Sequence, residues 1–326
     1  MMWTSNTALR QVDGIAGPDR DFAASVIEGL SKPRKSLSCR FFYDARGSEL
    51  FEEITRLPEY YPTRTEIAIL DAHAAEIASR VDDGAVLVEF GSGSSRKTEI
   101  LLAALPRLRA YVPIDVSESA LEEAKRRLIK RFPALAVRPI AGDFSRLLAL
   151  PPDLAKARKL GFFPGSTIGN FSPFAARTLL GAMRRLLTPD GWLIVGVDLK
   201  KDAGQLVRAY NDAAGVTAAF NLNLLGRMNR ELGADFDLRK FEHQTRWNEA
   251  ERRIEMHLGS RIDQSIFIAE ADLRVSFRAG ETIWTESSHK FHGHEMFEIA
   301  DQTGFRVKSQ WVDPEWPFVE SLWMVR

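Results

Sequence analysis

Residues Val86 to Thr98 read V-L-V-E-F-G-S-G-S-S-R-K-T, and the reading of this stretch decides the fold. A run of β-forming residues ends near Glu89, meets Gly91 and Gly93 in a tight turn, then passes through Ser94, Ser95 and Arg96 into the helix-like T-E-I-L-L-A-A-L. The order is strand, glycine turn, helix start. Two glycines let the backbone approach a nucleoside closely, and a helix N-terminus offers unpaired N–H groups to polar or anionic ligand atoms. A dinucleotide site carries a third glycine, in G-x-G-x-x-G. Here Arg96 stands at that position, which weakens a pyrophosphate reading.

Working outward, strands are expected at Ala85–Phe90, Ala110–Val116, Ala136–Ile140, Leu160–Phe163 and Trp192–Val197, with amphipathic helices between them such as Ser117–Phe132 and Ser172–Leu187. This alternation implies a parallel sheet wound on both faces, with ligands outside the carboxyl ends of its strands. Those ends carry Glu89 and Gly91, Asp115, Asp143 with Phe144, and Gly165 with Asn170. An acidic residue ahead of G-x-G resembles the S-adenosylmethionine (SAM) loop of class I methyltransferases. Asp115 suits both hydroxyls of a ribose; the competing reading is a helix N-cap, a role Ser117 can also fill. Asp143 beside Phe144 suits an adenine, its amine to the acid and its ring to the aromatic face, against the plainer reading of a turn aspartate. The Gly-rich F-F-P-G-S-T-I-G-N-F then puts Asn170 where substrate would meet cofactor.

Before the sheet, Asp19–Leu30 has helical periodicity, and Cys39–Leu70 packs aromatics and prolines around a short helix expected at Ser48–Leu57. Pro58 and Pro62 bracket Tyr60 and Tyr61, which read either as packing or as a substrate-facing lid. A further helix is expected over Thr65–Arg80. Beyond Asp198 the alternation breaks: residues 200–289 are too many for a loop and mix helical stretches with strand-like segments. The expected organisation is a sheet domain, 65–199 plus 290–326, and a second α+β lobe, 19–64 plus 200–289, with residues 1–18 flexible. The closing F-R-V-K-S-Q-W-V-D and P-F-V-E-S-L-W-M-V-R should return as an antiparallel hairpin that completes the sheet.

Lys and Arg together number 44, as do Asp and Glu, so no net field favours nucleic acid or an anionic membrane. Cys39 is the single cysteine, which excludes an intramolecular disulfide and fits a reducing compartment. No run approaches the roughly 20 apolar residues of a membrane span, and the first residues lack the pattern of a secretory leader. A stand-alone cytoplasmic monomer is expected. His289, His292 and His294 cluster near the end, but their spacing matches no zinc pattern, so no metal is expected.

Several pieces coincide: Y-D-A-R-G-S-E-L-F-E-E-I-T-R-L-P-E-Y-Y-P-T-R at Tyr43–Arg64, the glycine loop, F-P-G-S-T-I-G-N-F, A-Y-N-D at Ala209–Asp212, E-M at Glu255, and T-E-S-S-H-K-F at Thr285–Phe291. Together they resemble the L-histidine Nα-methyltransferases of ergothioneine biosynthesis, which convert histidine to its trimethyl betaine, hercynine. The likeness spans nearly the whole chain after residue 20. It implies a class I methyltransferase, Rossmann-like sheet with a substrate-binding lobe, SAM as methyl donor, S-adenosylhomocysteine as product and L-histidine as acceptor. By the same resemblance, Gly91, Lys97, Asp115, Asp143 and Phe144 line the SAM pocket. Tyr43 and Asn170 orient the reacting amine. Asn170 and Tyr210 hold the carboxylate and amino end, with Gly165 and Thr217 nearby. Glu286 and Ser288 grip the imidazole, and Tyr60, Phe51 and Met256 line the rest of the pocket. Trp284, just before T-E-S-S, is the local departure.

The residue types suit that chemistry. A carboxylate and a hydroxyl form a matched receiver for an imidazole, and residues two apart on a strand share a face. Without the surrounding motif, Glu286 reads as a surface strand acid. The competing functions are methylation of another aromatic amino acid or amine such as tryptophan, a Rossmann dehydrogenase, and a non-catalytic SAM-binding module.

Overall fold

A computed structural model describes residues 18–93, 95–145, 149–187 and 190–326. The stretch expected to be flexible lies outside them up to residue 17. The described chain divides into two compact units: one takes the chain through Ile54 with Ala203–Asn248 and Ile254–Ser287, the other Thr55–Asp202, Glu249–Arg253 and Ser288–Arg326. The tyrosine-proline segment around Tyr60 and Tyr61 thus goes with the second unit.

In the first unit, α1 (Pro18–Leu30) is followed by a 3-10 turn at Cys39–Phe42 and by α2 (Ala45–Ile54), which begins and ends three residues earlier than the periodicity suggests. Asp44 explains the early start: its Oδ1 accepts from the Gly47 N–H at 2.7 Å, as an N-terminal cap does.

The second unit opens with α3 (Tyr61–Ala78), not at Thr65. Pro62 lies in the first turn, where its missing N–H costs nothing and its fixed φ favours the helix. There follow β1 (Val86–Phe90), α4 (Thr98–Ala104), β2 (Ala110–Asp115), α5 (Glu118–Arg131), β3 (Ala136–Val137), β4 (Ile140–Ala141), β5 (Lys159–Phe163), α6 (Pro173–Leu187) and β6 (Trp192–Asp198). The expected strand Ala136–Ile140 is two short pieces instead. Pro139 has no N–H to give a ladder, so pairing to β2 lapses there and resumes at Ile140.

Returning to the first unit, α7 (Ala203–Ala209) and α8 (Val216–Leu232) precede β7 (Phe241–Asn248), β8 (Arg253–Ser260), β9 (Gln264–Ile268), β10 (Leu273–Phe277) and β11 (Thr282–His289). Here α2 packs on α8, and the Phe42 and Phe220 rings meet at 4.5 Å. The strands form a three-stranded sheet ordered β11-β8-β7 and a hairpin β9-β10.

The chain ends with α9 (Glu295–Gln302), β12 (Phe305–Val312) and β13 (Phe318–Val325). The main sheet runs β12-β13-β6-β5-β1-β2-β3, with β4 also on β2. Pairs from β6 through β3 are parallel, and β13 joins β6 antiparallel, as the hairpin expectation requires. Both faces are covered. Val86, Val88 and Phe90 pack with α6 and α9, while Leu87 packs with Ile69, Leu70 and Leu101 from α3 and α4. Because β5 and β1 are central and buried throughout, their sequences are mostly apolar rather than alternating, with Glu89 in β1 and Lys159 at the start of β5 as the buried exceptions. Order reverses between β1 and β5, so the crevice for a ligand opens at their carboxyl ends.

Candidate active site

The glycine turn after β1 is held from below. Glu89, 1% exposed, accepts from the Thr98 hydroxyl at 2.6 Å and from the Tyr111 hydroxyl, and Ser95 donates to Tyr111 at 2.8 Å. Burial pushes the Glu89 carboxyl up to about 8 despite these donors and Lys97. Glu89 therefore fastens the turn to α4 and β2. Gly91 and Gly93 both have positive φ, +78° and +48°. A Cβ on Gly91 would lie 3.1 Å from the Phe144 ring, which leans edge-on against Phe163 and Phe171. The ring packs directly on the glycine, a close approach that a residue without a Cβ allows.

Asp115 ends β2. Its Oδ2 accepts from the Gly93 N–H at 2.8 Å and its Oδ1 from the Ser117 N–H at 2.9 Å; the cap of α5 is Ser117, whose Oγ accepts from Ala120. The capping alternative for Asp115 thus falls to Ser117. Asp143 Oδ1 accepts from the Ser145 N–H and hydroxyl, which makes the turn reading correct for that oxygen. Gly165 (φ +76°) and Ser166 (φ +54°) turn the chain after β5 in left-handed conformations, and Asn170 closes the 3-10 turn that follows. The Gly165 N–H donates to Glu66 at 2.7 Å, and the other Glu66 oxygen pairs with Lys97. Tyr60, 8% exposed, directly precedes α3. Tyr61 is fully buried, stacks on Trp316 and donates to Asp198 at 2.7 Å, so packing, not a lid, describes it.

Asp198, at the end of β6, is the hub of a buried charge cluster. Lys290 and Lys201 both pair with it, Lys201 also donates to Tyr61, and Lys290 donates to Ser288 Oγ at 2.8 Å. Burial alone would raise the Asp198 carboxyl, but the two ammonium groups hold it below its usual range. His289 Nδ1 donates to the Gly169 carbonyl at 2.8 Å, and the His292 and His294 rings stack on each other.

The remaining expected residues lie in the first unit. Tyr43 follows the 3-10 turn, and its ring meets Phe51 at 5.7 Å and Phe220 at 5.8 Å, edge-on in both cases. Tyr210 and Thr217 flank Asp212, whose carboxylate accepts from the N–H groups of Val216 and Thr217 and seats the start of α8. The Tyr210 carbonyl accepts from His243 Nε2 and from the Thr245 hydroxyl. A carbonyl only accepts, so His243 carries its hydrogen on Nε2 and receives Asn221 Nδ2 at Nδ1. Burial lowers the His243 pKa, consistent with a neutral ring. Asn221, 0% exposed, also donates to the His257 carbonyl and accepts from Thr285, which in turn touches the Met256 carbonyl. One amide thus ties α8, β7, β8 and β11 beside Tyr210, Met256 and Glu286. Trp284 is structural: its indole donates to the Glu286 carbonyl at 2.8 Å, with Arg34 over its face.

Sequence reasoning did not single out Glu66, Asn221, Lys290 or Asp198. Of these, Asp198 carried a signal, being an acid at the end of the strand paired with β5, which leads into the Gly165 loop.

Residues 22–325 match the model of the SAM-dependent histidine-specific methyltransferases. The chain is 46% identical over 300 residues to a histidine N-alpha-methyltransferase of Mycolicibacterium smegmatis, covering 91% of this chain and 92% of that one. It is 30% identical over 296 residues to ergothioneine biosynthesis protein 1 of Neurospora crassa, 87% of this chain and 33% of that longer protein. It is 28% identical over 318 residues to a 4-dimethylallyltryptophan N-methyltransferase of Aspergillus fumigatus, covering 92% of each. The doubly wound sheet, the glycine turn after β1 and a family match over nearly the whole described chain agree, and the protein belongs to the SAM-dependent histidine-specific methyltransferases.

Proposed function

We propose that this enzyme methylates the α-amino group of L-histidine three times, giving hercynine in ergothioneine biosynthesis. The carrying observation is 46% identity over 91% of the chain with a histidine N-alpha-methyltransferase, against 28% with the relative named as a 4-dimethylallyltryptophan N-methyltransferase. The fungal relative named for ergothioneine biosynthesis supports the pathway.

SAM, when bound, supplies an electrophilic methyl on a sulfonium. The residues at the carboxyl ends of β1, β2 and β4 fit such a ligand: the Phe144 ring for the base, Asp115 for the ribose, and Gly91 and Gly93 in the turn between strand and helix. In each round the amine lone pair forms the N–C bond as the C–S bond breaks, and S-adenosylhomocysteine leaves. The first two products shed a proton before the next round; the third is a quaternary ammonium. No nucleophilic side chain is needed, so the protein's contribution is alignment and exclusion of water. On the resemblance to this family, Tyr43 and Asn170 orient the amine, Tyr210 and Thr217 hold the amino-acid end, and Glu286 and Ser288 receive the imidazole. Tyr60, Phe51 and Met256 shape the pocket, and the aromatic faces of Tyr43 and Phe51 suit a cationic product. No described helix is long and apolar enough to cross a membrane. We read the enzyme as a cytoplasmic monomer with a small-molecule acceptor.

The test is mass spectrometry after incubation of the enzyme with SAM and all proteinogenic amino acids. Histidine alone should gain three methyl groups. Methylation of tryptophan or another amine instead would retain the donor and reject the acceptor.

A further inference from the structure

Two glutamates stand fully buried in the second unit, and one of them pairs with Lys97. Glu66 on α3 and Glu320 on β13 are each 0% exposed. They meet at Gly196 of β6, which pairs with Glu320 in register. A Cβ on Gly196 would lie 2.2 Å from Glu66 Oε1 and 2.8 Å from Glu320 Oε1, so only glycine leaves room for both carboxyl groups. Their donors are unequally shared. Glu66 receives the Gly165 N–H on one oxygen and Lys97 on the other, whereas among the described residues neither oxygen of Glu320 has a hydrogen-bond partner.

A carboxylate stranded without donors in the interior is prohibitively costly, while a carboxylic acid carries its own hydrogen and can give it to a neighbouring anion. We infer that Glu66 is a positioning residue for methyl transfer, a buried carboxylate that buckles the loop at Lys97 to the loop at Gly165, with Glu320 as a neutral acid donating to it. Burial, and then the charge of Glu66, push the Glu320 carboxyl well above its usual range, in the direction this arrangement requires. Lys97 precedes α4 beside the glycine turn, and Gly165 opens the loop that ends at Asn170. These are the two loops whose separation sets the distance between donor and acceptor, and a misplacement of about 1 Å can cost on the order of a hundredfold in rate. The buckle also cancels the charge of Lys97, so the trio of Lys97, Glu66 and neutral Glu320 adds no net charge next to a sulfonium. The inference rests on the reading of Lys97 and Gly165 as lining residues.

The test compares Glu66→Gln with Glu320→Gln by calorimetric titration with S-adenosylhomocysteine, whose binding does not depend on which amine is the acceptor. Glu320→Gln keeps a neutral donor and should bind within about twofold of wild type. Glu66→Gln should weaken binding about tenfold or more and lower kcat, and the double variant with Lys97→Met should be no weaker than Lys97→Met alone, because both act through one ion pair. A folded Glu66→Gln enzyme with wild-type affinity and kcat overturns the buckle. A tenfold loss in folded Glu320→Gln overturns its assignment as the neutral partner, and that arm stands even if Glu66→Gln does not fold. If the buckle arms hold while histidine is not methylated, the acceptor reading alone fails.

Discussion

Lys290 and Asp198 form an ion pair 2.8 Å long with both side chains at 0% exposure. Lys201, at 4%, is the second ammonium on the same carboxylate, so the cluster holds two cations against one anion. Removing the anion leaves two buried ammonium groups facing each other; removing one lysine leaves a balanced pair. Asp198→Asn should therefore destabilise more than Lys290→Met, the former by about 3–5 kcal/mol. Thermal melts of the two variants check the order, and a larger drop for Lys290→Met would contradict it.

Glu89 gives a pH signature. Its pKa is raised from 4.5 to about 8, chiefly by burial. The unfolded chain releases this proton near pH 4.5 and the native state holds it, so the contribution of Glu89 to stability is complete below that pH. It is then lost progressively as pH rises to about 8. At pH 7 the loss amounts to about 3 kcal/mol. Glu89→Gln cannot titrate, and its melting temperature should vary less than that of wild type between pH 5 and 8. Parallel curves for the two proteins would refute the assignment.

How far the chain could be read depended on the range of the interaction. The parallel sheet was legible because β1 and β5 are buried on both faces and mostly apolar, and the tight turn was legible because Gly91 and Gly93 sit at a strand end. Pro139 is visible in the sequence too, and it splits the strand because it cannot donate to the ladder. Glu66 and Glu320 were not legible at all. They lie 254 positions apart, and they meet through Gly196, a glycine inside a strand that looks unremarkable in sequence. The Asn221 amide likewise joins four elements that only the folded chain brings together.

Gly91 and Gly84 separate backbone strain from contact with Phe144. Both have φ near +78°, at +78° and +77°, but a Cβ on Gly91 meets Phe144 at 3.1 Å while one on Gly84 meets nothing within 4 Å. An alanine at either site should cost about 1 kcal/mol of stability from its left-handed backbone. Only Gly91→Ala should also displace the ring and weaken S-adenosylhomocysteine binding severalfold. Equal affinities for the two variants would show that Phe144 does not border the cofactor.

Glu286 offers the sharpest test of acceptor choice. It lies two residues before Ser288 on β11, on the same side of the strand, and Ser288 is held by Lys290 at 2.8 Å. A hydrogen bond from an imidazole to a carboxylate contributes about 1.5–3 kcal/mol, because one partner is charged. Glu286→Gln keeps the shape and removes the charge, so the KM for histidine should rise about tenfold or more. The KM for SAM should stay within about twofold, since nothing at the glycine turn changes. If both constants rise together, the substitution has disturbed the fold; if the histidine KM does not move, Glu286 does not receive the imidazole and selection lies elsewhere in the pocket.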